Sequence, residues 1–210
     1  MLGTRPDITY AVTKMSQYAA NPSKEHLDNA LYIFRYLAAT QEYSLVYQGK
    51  SGEGFIAYTD SNWELDLDNR RSTTGYILKL AGCVFSWNSR AQKTIALSST
   101  EAEYMGLSDC SRQCVWIKTL MSELQIPIKT FPICADNQGS IFIGQNPVQE
   151  RCTKHIDVRY HFIRQCVEDK KIKLFFIAGS ENPADMFTKN LSKIKFLCCL
   201  GQLGLIISKT

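Results

Sequence analysis

The chain has little that would mark it for a zinc site, a secretory route or a membrane. Among its 210 residues are eight cysteines and three histidines. Cys110 and Cys114 stand four apart and Cys198 and Cys199 adjoin, but no C-x-x-C pair occurs. Neither His155 nor His161 stands at finger spacing from a cysteine pair, which excludes the common structural zinc patterns. The opening Met1-Leu2-Gly3-Thr4-Arg5-Pro6-Asp7 lacks the apolar run of a secretory signal. These absences predict an intracellular protein with reduced, mostly buried thiols. The apolar tail from Phe196 to Ser208 holds only about 13 residues, too few to span a bilayer, and reads as a docking segment rather than a membrane anchor. Neither sign of charge dominates, with 24 basic and 20 acidic residues. A formal net charge of +4 permits contact with a polyanion without arguing for it. No internal repeat and no low-complexity stretch is present.

What remains is the profile of an ordinary globular protein, 45% apolar and 21% charged, long enough for one full domain and something smaller. Residues 1–50 read as helical, then briefly extended. Thr4-Arg5-Pro6-Asp7 opens a helix and Asn21-Pro22-Ser23 breaks it; a second helix carries Leu27, Ala30, Leu31, Phe34 and Leu37 at helical spacing. Gln48-Gly49-Lys50-Ser51-Gly52-Glu53-Gly54 marks a boundary. Residues 54–192 then predict one mixed α/β domain, and 193–210 an apolar tail. In the domain, a short strand runs from Gly54 to Asp60. Gly75–Leu80 and Cys83–Trp87 form a hairpin through Ala81-Gly82. A long helix follows from Ser99 to Leu124, then a strand from Phe131 to Ala135 and a helix from Gln138 that Asn146-Pro147 breaks. Lys154–Glu168 is helical, Lys171–Ile177 is a fifth strand, and a last helix starts near Pro183.

The long helix is the most informative element. Leu107, Cys110, Cys114, Ile117, Met121 and Leu124 follow one another by three or four residues, and that stripe extends backwards to Glu103. A glutamate on a core-facing stripe must be paired or metal-bound, because an unpaired buried charge is costly. Glu101 stands three residues after Ser98, the capping-box spacing, and has a structural task already. Asp60 and Asp136 each end an apolar strand, where ligands gather in open α/β sheets. Asp136 ahead of Asn137-Gln138 also suits a helix cap, and Asp185 falls in a first helical turn that welcomes an acid. The combination carries more weight than any member. Four carboxylates at one edge of one sheet would repel unless cations neutralised them, and hard oxygen ligands select Mg²⁺ or Mn²⁺. Two such ions are the usual device for phosphodiester cleavage.

Long runs carry a family resemblance. They are Thr4-Arg5-Pro6-Asp7-Ile8, Arg70-Arg71-Ser72-Thr73-Thr74-Gly75-Tyr76, Ser86-Trp87, Gln92 to Tyr104, Asp136-Asn137-Gln138, Thr153 to Asp157, Tyr160 to Arg164 and Asn182 to Lys189. In order and over nearly the whole chain, they resemble the C-terminal end of copia-type retrotransposon Pol polyproteins, a ribonuclease H domain preceded by the last part of reverse transcriptase. The resemblance implies a ribonuclease H-like fold, with a five-stranded mixed sheet flanked by helices and a short, mainly helical N-terminal segment. It implies cleavage of the RNA strand of RNA–DNA hybrids with two Mg²⁺ ions, Mn²⁺ being able to substitute, and the remainder of a reverse transcriptase polyprotein as partner. The setting it implies is a cytoplasmic particle or the nucleus. The family's four acidic ligands fall on Asp60, Glu103, Asp136 and Asp185. The loop Ala178-Gly179-Ser180-Glu181 lacks the histidine that other ribonucleases H often carry there, and His155 and His161 read as structural. Two departures from the family's usual text are Ser61-Asn62-Trp63, which has lost an acid, and Thr188-Lys189-Asn190-Leu191, which has lost a proline. No Tyr-x-Asp-Asp polymerase motif is present.

For nucleic acid, Arg70, Arg71, Arg90 and Lys93 are candidate phosphate contacts. Ser99, Thr100, Asn137 and Gln138 at two helix starts are candidates for 2′-hydroxyls or phosphates. Trp63 and Trp87 read as core. Besides a hybrid-specific ribonuclease, a catalytically silent element remnant that binds nucleic acid or supports a larger polymerase stays open. Another two-metal nuclease of the same fold, such as an integrase, typically relies on three acids.

Overall fold

A computed structural model describes residues 3–49, 54–63, 70–146 and 154–207, with side chains described from residue 158 onward in the last of these. The expected boundary at 50–53, the helix breaker Pro147 and the side chain of His155 lie outside the described residues.

The N-terminal segment begins with a 3₁₀ turn, Pro6–Ile8, that leads into α1 (Thr9–Ser16) and α2 (Lys24–Ala39). A capping box starts α2: Ser23 Oγ accepts from the His26 amide, and His26 Nδ1 accepts from the Ser23 amide. The segment is held by one buried acid. Asp7 receives Arg5 Nη2 at 2.7 Å and the Tyr36 hydroxyl at 2.7 Å, and Arg5 also donates to the Thr40 carbonyl at 3.1 Å. The apolar stripe of α2 forms a helix but is not covered: Leu27, Leu31 and Phe34 are all exposed. The extended stretch is β1, Tyr43–Leu45.

β2 (Ile56–Asn62), β3 (Thr73–Leu80) and β4 (Cys83–Ala91) form an antiparallel meander. The β3–β4 turn has Ala81 at φ 51° and Gly82 at φ 76°, the two left-handed residues that a tight right-twisted hairpin needs. α3 (Ser99–Glu123) crosses back over the sheet to β5 (Phe131–Ala135). α4 (Gln138–Gln145) and α5 (Lys154–Glu168) follow, then β6 (Ile172–Phe176). The sheet order is β4-β3-β2-β5-β6, with β2, β5 and β6 parallel to one another, and α3, α4 and α5 cover one face. Close approach of α3 to β2 depends on Gly106, whose position leaves no room for a Cβ against Ser61 Oγ.

Two expectations need correction. β2 does not end at Asp60; it runs on to Asn62, pairing Asp60 with Gly75 and Asn62 with Thr73. The last helix of the 54–192 region is instead a five-residue 3₁₀ turn, Pro183–Phe187, entirely buried. Asn182 explains this, because its side-chain oxygen caps the Ala184 amide while its NH₂ donates to the Thr59 carbonyl at 3.0 Å. Tertiary anchoring fixes the turn where local propensity would continue a helix.

Residues 193–207 pack against the sheet. α6 (Lys193–Gln202) and β7 (Leu205–Ile207) lie on the second face of the sheet, where Cys199, Leu200, Leu203 and Leu205 join Ile77, Val84, Met186 and Phe187 in a second core. β7 pairs antiparallel with β1, matching Leu205 to Leu45 and Ile207 to Tyr43. Of the seven described cysteines all are free and five are buried. No helix among the described residues is long and apolar enough to cross a membrane.

Leu203→Ala should lower stability by about 2–4 kcal/mol through the cavity left in the second core. Leu197→Ala, on the exposed side of α6, should stay within about 0.5 kcal/mol. Urea midpoints of the two variants check both.

Candidate metal centre

The parallel register sets the site. Tyr58 lies opposite Cys134, so two residues further along each strand Asp60 and Asp136 come level at the same end of the sheet. α3 brings the third acid: Ser98 caps it by accepting from the Glu101 amide at 3.1 Å, and Glu103 follows on the core-facing side. Glu101 takes the structural task foreseen for it, although its carboxylate accepts from Leu97 N, at 2.8 Å, rather than from the cap residue. Asp60, Glu103 and Asp136 offer oxygens that all lie within 4.8 Å of one another.

Asp60 is 2% exposed and Glu103 8%. Burial, opposed by Lys189 and reinforced by Asp185 and Asp136, pushes the Asp60 carboxyl up to about 6. Burial and then the charges of Asp60 and Asp136 push Glu103 well above the ordinary carboxyl range. Burial and Asp185 raise Asp136 as well. One atom stands out: the buried Oε2 of Glu103 has no hydrogen-bond partner. A buried carboxylate oxygen without a hydrogen-bond partner, on a residue grouped with two further acids and with no thiol or imidazole among the grouped ligands, fits a hard divalent cation.

Asp185 adjoins this group but stands outside the 4.8 Å cluster. It is 1% exposed, Lys189 Nζ lies 3.0 Å from its Oδ1, and Lys195 Nζ contacts its Oδ2. Lys189 also reaches Asp60 Oδ2 at 3.7 Å, and the Thr188 hydroxyl donates to that same oxygen. Burial works against the Lys189 ammonium, but Asp60 and Asp185 more than reverse this and raise it. Gly179 is needed beside the cluster, since a Cβ there would stand 2.9 Å from Asp136 Oδ2.

The expected nucleic-acid contacts divide into groups. Thr100 lies against Gly139, so the starts of α3 and α4 meet, and Ser99, Thr100, Asn137 and Gln138 gather beside Glu103 and Asp136. Asn137 is also the α4 cap, accepting from Ser140 N at 2.8 Å. Arg90 and Lys93 belong to a different feature, a cavity of about 120 Å³ that Arg112 and Arg159 also line. At its base sits Asp109, contacted by Arg90 and Arg112 and by Arg159 at 3.2 Å. Burial works to raise the Asp109 carboxyl, and the guanidiniums of Arg90, Arg159 and Arg112 hold it below the ordinary value instead. Arg70 and Arg71 are exposed ahead of β3, and the neighbouring Ser72 carbonyl accepts from the amide of Gln92, which lines that cavity. Trp63 is not core: it is 40% exposed, and its indole N–H donates to the Ala96 carbonyl. Trp87 is half-buried against the second core. Exposed His161 lies near the Arg164 guanidinium.

Sequence reasoning missed Lys189, Lys195, Asp109, Arg112 and Arg159. Arg112 stands three residues after Asp109 and Lys189 four after Asp185, spacings that hint at ion pairs. Nothing local announces Lys195 or Arg159.

No family model matches the chain. Over 205 residues, 98% of its length, the chain is 40% identical to a retrovirus-related Pol polyprotein from the tobacco (Nicotiana tabacum) transposon TNT 1-94. It is 37% identical over 202 residues to the Pol polyprotein of transposon RE1 from Arabidopsis thaliana. The chain is thus a homologue of a segment of retrovirus-related transposon Pol polyproteins. This Pol segment spans 15% and 14% of those two relatives' length. Its sheet order and flanking helices have the ribonuclease H-like arrangement that the resemblance implied. A solved structure, LC11 RNase H1 in complex with an RNA/DNA hybrid, overlays with a TM-score of 0.49 at 13% identity, covering 64% of this Pol segment and 93% of that chain.

With metal removed by chelator, the raised Asp60 carboxyl has a definite pH consequence. Its folded value exceeds its unfolded one, so its stabilising contribution is complete below 3.8 and is lost as pH rises to about 6. Asp60→Asn should therefore match the parent's stability near pH 4 and exceed it near pH 7, by on the order of 2–3 kcal/mol. Melting in EDTA across that range checks the sign.

Proposed function

We propose that this chain is the ribonuclease H portion of a copia-type Pol polyprotein and hydrolyses the RNA strand of RNA–DNA hybrids. The observation that carries the reading is the buried Asp60–Glu103–Asp136 cluster with its orphaned Glu103 oxygen, in a chain of this family. The cluster would hold a first Mg²⁺, and Asp185 would join in holding a second. Bound there, the ions would supply an activated water and charge stabilisation for in-line displacement at phosphorus. The chain's own residues do the rest. Thr188 orients the Asp60 carboxylate, and the packed edge of β2, α3 and the Asn182–Thr188 turn keeps bulk water from the acids. Ser99, Thr100, Asn137 and Gln138 offer hydroxyl and amide groups for 2′-hydroxyls, the feature that separates RNA from DNA. The Asp109 cavity, with three guanidiniums and Lys93 around one carboxylate, suits a backbone phosphate away from the scissile one; such contacts position the duplex without reading its sequence. Arg70 and Arg71 extend this basic surface. Residues 54–192 would form the catalytic unit, with 1–50 the end of reverse transcriptase and 193–210 a docking tail. The remaining polyprotein would be its partner, inside the cell.

Cleavage of a labelled RNA–DNA hybrid by the purified protein in Mg²⁺ tests the reading. RNA-strand cutting should fall by about 100-fold or more in Asp60→Asn and Glu103→Gln, the scale set by losing one charge-stabilising group in an active site. A folded protein that cuts nothing in Mg²⁺ or Mn²⁺ would instead be the silent remnant.

Arg112→Ala should weaken hybrid binding evenly across sequences and reduce its log–log salt slope by about 1. Filter binding of uncleavable hybrid at several salt concentrations reads both effects.

A further inference from the structure

The fourth acid differs from the other three in what surrounds it. Asp60, Glu103 and Asp136 face one another within 4.8 Å, whereas Asp185 faces two ammonium groups. Lys189 lies between carboxylates, 3.0 Å from Asp185 and 3.7 Å from Asp60. Lys195, carried in by the tail helix, holds the other oxygen of Asp185 while donating to the Gly179 carbonyl at 3.0 Å. The two anions are fixed by burial, with side chains 3% and 2% exposed, but the Lys189 side chain is 38% exposed. Of the three charges, only the ammonium has a way out to water, on a flexible four-carbon arm.

We infer that Lys189 occupies the cation place shared by Asp60 and Asp185, so that divalent ions enter in two unequal steps. The first ion joins Asp60, Glu103 and Asp136, which Lys189 approaches only at Asp60 and no closer than 3.7 Å, and where Glu103 Oε2 has no hydrogen-bond partner. The second can be held by Asp185 only after Lys189 has swung away. Lys195 keeps Asp185 in position during the exchange, acting as a positioning residue tied to the tail. Coulomb repulsion between an ammonium and a divalent ion a few ångströms apart makes the second step weak. The inference rests on the metal reading above.

The test is calorimetric titration of the full chain with Mg²⁺ alone and, separately, with Mn²⁺. The parent should show a tighter and a weaker step. Lys189→Met should tighten the weaker step by roughly tenfold or more and leave the first within about twofold. Lys189→Arg, which retains the charge, should leave the second step weak. A parent with two equal sites overturns the inference without needing a variant. So does a folded Lys189→Met protein whose second step is unchanged or weaker, as expected if Lys189 merely braces the fold. In either case the metal reading stands. No binding heat from the parent with either ion removes the metal reading itself and this inference with it.

Discussion

Parallel pairing of β2 with β5 is the contact on which the rest depends. It has no local cause, because the two strands are separated in sequence by the whole β3–β4 hairpin and the long helix α3. Once made, it places two aspartates level at one end of the sheet and leaves α3 only one face to cover. Glycine at position 106 then allows the helix to sit against Ser61 and Thr74, bringing Glu103 to the same end. β5 and β6 turn Phe131, Ile133, Ile172 and Leu174 into the helix-covered core, while Lys173, Phe175 and Phe176 stay exposed. The acids stand where that apolar interior stops.

Charge is organised in two opposite ways within this one domain. At the sheet end, acids outnumber the cations that reach them, and their carboxyls are driven upward. At Asp109 three guanidiniums surround one carboxylate, which is driven downward. Both groups sit on α3, six residues apart between Glu103 and Asp109, or about 9 Å along the helix axis. A rigid helix thus separates a place that attracts cations from one that attracts anions. A polyanion laid across the two meets attraction at the arginines and repulsion at the acids unless metal is present.

How much of this was legible in the sequence follows from range. The five strands of the main sheet, the glycine turn and the α3 stripe were readable, because periodicity and turn chemistry act over a few residues. Glu103 was legible for the same reason, since a glutamate on an apolar stripe contradicts its neighbours. The buried turn after Asn182 was not, because a hydrogen bond to Thr59, far away in sequence, decides its form. Trp63 looked like core by residue type, yet its indole is satisfied by a loop carbonyl at the surface. The lysines around Asp185 and the arginines around Asp109 are products of the finished fold, and only one partner in each set lies at a telling spacing.

The pairing of β1 with β7 links the beginning of the chain to its end, with Tyr43 matched to Ile207. During synthesis an N-terminal strand emerges long before its partner exists, since ribosomes add about 5–20 residues each second. For roughly ten seconds, until α6 and β7 have been made, the β1 edge and the Ile77–Val84 surface that α6 later covers have no mate from their own chain. Nascent copies at that stage present an open strand and an apolar patch together, the pair of features that invites association between chains. α6 and β7 therefore act as a latch that closes over both, and a chain cut before them would be left sticky rather than merely shorter.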